Sequence, residues 1–349
     1  MVASLQTAKG KANDLESLLS MVNGYQQSCL LYAGIDLGLF DELSNGGRDL
    51  GQLASKLDVN VDALGRFLRA LNAIGLIEYR EGEFTLGAVG RILVSKGIGQ
   101  GIRAWATLVG AEYLLLWRNL AQCVKSGEAG FEDLFDCTPW EHRQRDSRLN
   151  DAFNQVTSGE QKRTTAGLLR AYKFDDVSSV IDVGGGHGHL VAGILAKYPG
   201  LRGIVYDLPH VVDGSEGTME ENDLHGRFET IGGSFLESVP PGGDIYILKH
   251  VLHNWDDASC EKILRNLRSS MHDNARLLIL ENVIPDNQID GTPNILLDIH
   301  MLVVHGGRER TLRQYQDLLS RAGFDRICQI NTRPGVPEIV EAKVAEGGS

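Results

Sequence analysis

Val180-Ile181-Asp182-Val183-Gly184-Gly185-Gly186-His187-Gly188-His189 decides the fold. The spacing predicts a buried strand over 179–183 that breaks into a glycine loop and then a helix over 190–197. Glycines let such a turn pass tightly and let a ligand approach the backbone. A dinucleotide loop would read G-x-G-x-x-G. Counting from Gly184 and Gly186, the third glycine of that pattern falls on His189. The loop reads instead as D-x-G-x-G-x-G, with the acid Asp182 ahead of the glycines.

Strands at 203–207, 244–249 and 276–281 follow, with helices between them, one at 258–271. Alternating strands and helices predict an α/β, doubly wound, Rossmann-like domain with a mostly parallel sheet. Right-handed crossovers bring the strand C-termini to one edge, where ligands bind. Asp207 ends the second strand, 25 residues after Asp182, where an acid that holds ribose hydroxyls belongs. A carboxylate in the loop would repel a diphosphate but attract the amino group of a sulfonium amino acid. The two acids together therefore favour S-adenosylmethionine over a nicotinamide dinucleotide.

The strand over 244–249 runs into Lys249-His250-Val251-Leu252-His253-Asn254-Trp255-Asp256-Asp257, which places His253 on the ligand edge. The next strand ends in Glu281. Further on stands Gly306-Gly307-Arg308-Glu309-Arg310-Thr311, ahead of a helix that Thr311 would cap. A histidine and two acids thus gather at one edge in this fold, although any single histidine there also reads as a satisfied structural residue. His250 and His253 have HxxH spacing, but on a strand end it sends the rings to opposite faces. No metal site is expected.

Upstream, apolar residues recur at helical spacing over 15–43, after about a dozen residues read as a loose tail. Short helices over 49–57 and 61–74, then strands at 76–79 and 83–86, outline a winged helix. The segment 36–96 carries no surplus of Lys and Arg, so it reads as a structural or dimerisation module rather than a DNA reader. A helical stretch rich in large aromatics, 104–172, follows. The expected organisation is an N-terminal helical, winged-helix-like domain over 1–103 and a catalytic domain over 104–349. Within the latter, 104–172 would serve the substrate and 173–349 would form the core.

The chain has 349 residues, 42% hydrophobic and 23% charged, with a formal net charge of -12. The length suits two domains, and the acidic balance opposes nucleic acid and anionic membranes as partners. Five cysteines, scattered and without a CxxC pair, predict neither zinc nor a disulfide framework. With no long apolar run, the expected location is the cytoplasm.

These motifs, in this order, resemble the plant and microbial small-molecule O-methyltransferases typified by caffeic acid and hydroxyindole O-methyltransferases. The resemblance spans nearly the whole chain. It implies a homodimer built by the N-terminal region and methyl transfer from S-adenosylmethionine to a hydroxyl, phenolic in character, of an aromatic secondary metabolite. It implies that Gly184 lines the methionine part of the cofactor, Asp207 holds the ribose, and Phe235, Lys249 and Trp255 line the adenine, with Asp182, Gly186 and Ser234 also at the cofactor. His253 would be the base, bracketed by Glu281 and Glu309. Phe153, Thr157, Met301 and His305 would face the aromatic substrate. Ser234 stands where the family often has an acid, Thr157 where it often has a methionine, and the loop at His305 is one residue shorter than in plant members. Two rivals differ in class: a cofactor-binding relative that does not methylate, such as a decarboxylase or pericyclase, and a winged-helix regulator that senses a small molecule. The histidine with its two acids argues against the first, and the mixed charge of the winged helix against the second.

Overall fold

The computed structural model describes residues 2–96, 99–221, 223–224, 226–286 and 293–344. It divides into two compact units, one of Met1–Leu115 with Arg143–Thr157, the other of Leu116–His142 with Ser158–Ser349.

The second unit is built on a seven-stranded sheet. In chain order the strands are β1 (Ser179–Val183), β2 (Arg202–Asp207), β3 (Phe228–Gly232), β4 (Ile245–Lys249), β5 (Arg276–Glu281), β6 (Phe324–Ile330) and β7 (Glu338–Val344). They lie in the order β3-β2-β1-β4-β5-β7-β6. The first five are parallel, and β7 runs antiparallel to both β5 and β6. Helices cover both faces, so the central strands are apolar throughout, as in Ile245-Tyr246-Ile247-Leu248. Ile263, Leu264 and Leu267 of the helix Asp257–Ser270 pack with Tyr315, Leu318 and Leu319 on one face. Val191, Ile194 and Leu195 of the helix His189–Lys197 pack with Leu168 on the other.

The α/β doubly wound expectation holds. Strands β3, β6 and β7 were not read from the sequence. The last two are antiparallel because only a short turn joins them, and a parallel crossover needs a dozen or more residues. Strand order reverses between β1 and β4, so the crevice outside their C-terminal ends is the topological switch point.

In the first unit a helix runs over Val2–Asp36, beginning where a loose tail was expected; Ala, Leu, Gln and Lys are all good helix formers. Gly38, at φ 69°, turns the chain into Leu39–Ser44. The helices Leu50–Leu57 and Val61–Ala73 start at the side-chain caps Asp49 and Asn60, and the hairpin Ile77–Arg80 with Glu83–Leu86 completes the winged-helix outline. Leu39, Phe40, Leu53, Leu68, Leu71 and Ile77 form its core. Along the first helix, Leu15, Leu18, Met21, Val22 and Tyr25 stand more than half exposed. Among the described residues no helix is long and apolar enough to cross a membrane.

Candidate active site

The glycine loop leaves β1 at Gly184, whose amide donates to the carbonyl of Tyr206 on β2 at 2.7 Å. Gly184, Gly186 and Gly188 all have positive φ, which L side chains rarely adopt. A Cβ at Gly188 would lie 2.4 Å from Phe228, so the loop also needs glycine for packing. A Cβ at Gly186 would meet nothing within 4 Å; the loop is open on that side, where a ligand could lie. Asp207, at the end of β2, accepts the Gly186 amide at 2.9 Å and the Leu208 amide at 2.7 Å. It therefore braces the loop as well as facing the crevice.

Asp182 is buried, and its Oδ1 finds no hydrogen-bond partner among the described residues. Burial pushes its carboxyl up to about 7, opposed by Lys249 and reinforced by Asp207. Burial likewise raises Asp207, against the pull of the two amides. A buried and a half-buried carboxylate, both with raised pKa values, beside an open glycine cradle suit a cation and suit a phosphate poorly. The residues present thus fit a sulfonium amino acid with a ribose.

Phe235 follows the turn after β3, where the Ser234 carbonyl accepts the amides of Glu237 and Ser238. Its ring stands edge-on to Trp255, with centroids 5.9 Å apart. A Cβ at Gly184 would lie 3.5 Å from Phe235 and 2.8 Å from Val251, so these apolar groups wall the same loop. Lys249 ends β4. All eight residues expected at the cofactor therefore lie on this edge of the sheet.

Beyond β4, His250 turns the chain at φ 51°, and a single three-ten turn, Leu252–Asn254, carries His253. His253 is buried, and its Nδ1 lies 3.0 Å from Glu309 Oε1 and 3.6 Å from Glu281 Oε2. Glu281, at the end of β5, accepts the amides of Leu252 at 3.0 Å and His253 at 3.4 Å, and its Oε2 lies 3.3 Å from His250 Nδ1. Burial alone would raise the Glu281 carboxyl; His253 and His250 outweigh it, and the net direction is down. A depressed carboxyl stabilises the fold above its ordinary range, and that contribution is lost as pH falls through the folded value. With carboxylates on the Nδ1 side, the imidazole carries its proton there and leaves Nε2 to accept one.

Contrary to the expectation from HxxH spacing, His250 and His253 do not lie on opposite faces. The rings lie 5.0 Å apart, inclined by 30°, because the strand ends at Lys249 and the left-handed turn at His250 removes the alternation of side chains. His250, His253 and Glu281 offer ligand atoms within 4.8 Å of one another, yet both Nδ1 atoms are already directed at carboxylates.

Residues 308–310 run beside this turn. The Arg308 amide donates to the His253 carbonyl at 2.9 Å, and the Glu309 amide is held by Asp298 at 2.8 Å. Arg310, fully buried, donates to the carbonyls of Leu252 and Trp255 and to Asp257. Sequence pattern alone assigns no role to Arg310, Gly307 or Asp298. The one available signal was an arginine amid motif residues in a chain segment bound for the core.

Met301 is buried on the helix Pro293–His305, and His305 at its end stacks on Trp140 at 5.5 Å. Phe153 and Thr157 belong to the other compact unit. There the Arg143 guanidinium sits 4.4 Å over the Phe153 ring and is ion-paired with buried Glu112 at 3.1 Å. The Thr157 hydroxyl donates back to the carbonyls of Phe153 and Asn154.

A doubly wound sheet whose switch point pairs an acidic glycine loop with a carboxylate-backed histidine defines a methyltransferase of the Rossmann-like, S-adenosylmethionine-using class. A family model described as the O-methyltransferase domain matches residues 117–325, and one described as the O-methyltransferase dimerisation domain matches residues 19–96. The chain belongs to this O-methyltransferase family. It is similar to the phenazine O-methyltransferase PhzM of Lysobacter antibioticus, 33% identical over 327 residues that cover 93% of this chain and 95% of that one. Among solved structures, the mitomycin 7-O-methyltransferase MmcR matches with a TM-score of 0.90 at 27% identity, over 97% of this chain and all of the other. NcsB1 from neocarzinostatin biosynthesis was solved in complex with S-adenosyl-L-homocysteine and 1,4-dihydroxy-2-naphthoic acid. It matches with a TM-score of 0.80 at 27% identity, over 91% and 96% of the two chains. The protein is an S-adenosylmethionine-dependent O-methyltransferase of small molecules, and Met21, Val22 and Tyr25 of the exposed apolar row on its first helix fall within the residues matched by the dimerisation domain.

Proposed function

We propose that the chain methylates a phenolic hydroxyl on an aromatic secondary metabolite, with His253 as general base. The observation that carries this reading is the 3.0 Å contact between His253 Nδ1 and Glu309, which directs Nε2 outward as a proton acceptor. S-adenosylmethionine, when bound, supplies an electrophilic methyl group. Asp182, Gly184, Gly186 and Asp207 hold its polar half, and Ser234, Phe235, Lys249 and Trp255 its adenine. His253 Nε2 takes the hydroxyl proton as the oxygen attacks, while Glu281 and Glu309 stabilise the imidazolium that forms. Met301 and His305 shape the acceptor site within the unit that carries His253. A relative that binds the cofactor without methylating would have little use for a base so bracketed. We divide the chain by role into a dimerising part, 1–103, and a catalytic part, 104–349, and place the enzyme in the cytoplasm, where its five free thiols persist.

Incubation with isotopically methyl-labelled S-adenosylmethionine and a panel of phenols, anilines and aliphatic alcohols tests the acceptor class. Mass spectrometry should find label on phenolic oxygen, and label on aliphatic alcohols or nitrogen alone would overturn the reading.

Two further outcomes concern the cofactor. Asp207→Ala should weaken S-adenosylmethionine binding by about 10- to 150-fold, the loss of about 1.5–3 kcal/mol in charge-assisted hydrogen bonds. Unchanged affinity by calorimetry would remove Asp207 from the site. Asp182, with its carboxyl near 7 in the ligand-free protein, should ionise when a cation binds. Below that pH, binding should release a proton, and affinity should rise as pH climbs through 7. Calorimetry at pH 6 in buffers of different ionisation enthalpy reads that proton. Equal release by wild type and Asp182→Asn would show that it comes from elsewhere.

A further inference from the structure

Arg310 is the largest fully buried side chain among the described residues, and it touches no open face of the site. Apart from a 3.4 Å bond to the Arg308 carbonyl of its own segment, its guanidinium bonds to one short stretch of chain. Nη1 donates to the Leu252 carbonyl at 2.9 Å, Nη2 to the Trp255 carbonyl at 2.8 Å, and Nε and Nη2 to Asp257 Oδ1 at 3.1 and 2.8 Å. These carbonyls belong to the first residue of the three-ten turn that carries His253 and to the residue that follows it. Just ahead of Arg310 in the segment, the Arg308 amide holds the His253 carbonyl at 2.9 Å, and Glu309 holds the ring at 3.0 Å. Cys260 Sγ shares the Leu252 carbonyl at 3.2 Å.

A buried guanidinium is costly unless all its donors are matched. A one-turn helix, in contrast, has few bonds of its own with which to hold an angle. The segment 308–310 supplies what the turn lacks: Arg310 fixes the backbone and Glu309 fixes the ring. The arginine fork is rigid and planar, so it sets both carbonyl directions at once, which a lysine ammonium cannot.

We propose that Arg310 is a positioning residue for methyl transfer, locking the 252–255 turn so that His253 Nε2 points at the acceptor hydroxyl. The inference rests on the reading of His253 as the base.

A double-mutant cycle tests it. Arg310→Lys should lower turnover by on the order of 10²-fold, the effect of a misplacement near 1 Å, while the acceptor KM changes far less. The loss should shrink as the acceptor hydroxyl becomes more acidic, because an ionised acceptor needs no aimed base. In a His253→Ala background Arg310→Lys should change turnover little, since the arginine acts only through that ring. Asp257→Asn, at a half-exposed side chain, should give a smaller loss with the same background dependence, and it decides the matter if Arg310→Lys does not fold. Equal loss in both backgrounds, or wild-type turnover in Arg310→Lys or in a folded Asp257→Asn, would overturn the positioning role. Wild-type turnover in His253→Ala alone would instead overturn the base and take this proposal with it.

Discussion

His253→Ala is expected to cut turnover by about 10²–10⁴-fold, the usual contribution of a general base, with cofactor affinity nearly unchanged. A phenol ionises near 10 and an ordinary histidine near 6.5, so full proton transfer would cost about 5 kcal/mol at equilibrium. Transfer during attack avoids most of that, provided the imidazolium is stabilised where it forms. Glu309 at 3.0 Å and Glu281 at 3.6 Å provide this, both buried beside the ring. The loss should be greatest for the least acidic acceptor and should fade for acceptors already ionised. Raising the pH should restore part of it for the same reason. If His253 merely filled space at the end of β4, the variant would melt earlier and lose turnover equally on every phenol. Turnover across phenols of graded acidity separates the two, and a stable variant with wild-type turnover on the least acidic phenol would end the assignment.

Gly307→Ala should be nearly as damaging, although Gly307 offers no side chain to the chemistry. A Cβ there would lie 2.0 Å from the His253 carbonyl oxygen and 2.7 and 2.8 Å from the carbonyl carbons of Asn254 and His253. All three are backbone atoms, so no rotamer can relieve the clash. Either the His253 turn or the 306–310 segment must move, and the Arg308-to-His253 and Glu309-to-His253 contacts cannot both survive. Overpacking of this kind costs about 1–3 kcal/mol, and a displaced base costs on the order of 10²-fold in turnover. Gly217→Ala serves as the comparison, because a Cβ there meets nothing within 4 Å, and it should leave turnover untouched. Thermal melting with turnover in the same preparations checks both. Wild-type turnover in Gly307→Ala would mean that the turn tolerates a shift the geometry forbids.

Much of the cofactor edge was legible before any coordinates. Asp182 and Asp207 could be placed because each ends or follows a strand with a strong apolar run, and strand ends in an alternating α/β pattern share one edge. The same logic placed Lys249, His253 and Glu281. Strands β3, β6 and β7 were not legible, because Phe228–Gly232 and Phe324–Ile330 mix polar and apolar residues without a clean period. The relation of His250 to His253 was misread for a local reason. Strand alternation stops at Lys249, because a single positive φ at His250 turns the chain there.

What the sequence determined by itself is whatever follows from local pattern and chain order: the doubly wound sheet, the acidic glycine loop, the helices and hairpin of the winged region, and the candidacy of His253, Glu281 and Glu309. What only the tertiary structure decided is how segments far apart in the chain meet. Glu309 rather than Glu281 makes the shorter contact to the His253 ring, Glu281 is shared with His250 and two backbone amides, and Arg310 clamps the turn from a position 58 residues away from Leu252. The physical reason is that hydrophobic periodicity encodes which side of an element is buried, whereas the direction of a buried charge is set by which polar groups packing leaves within reach of it.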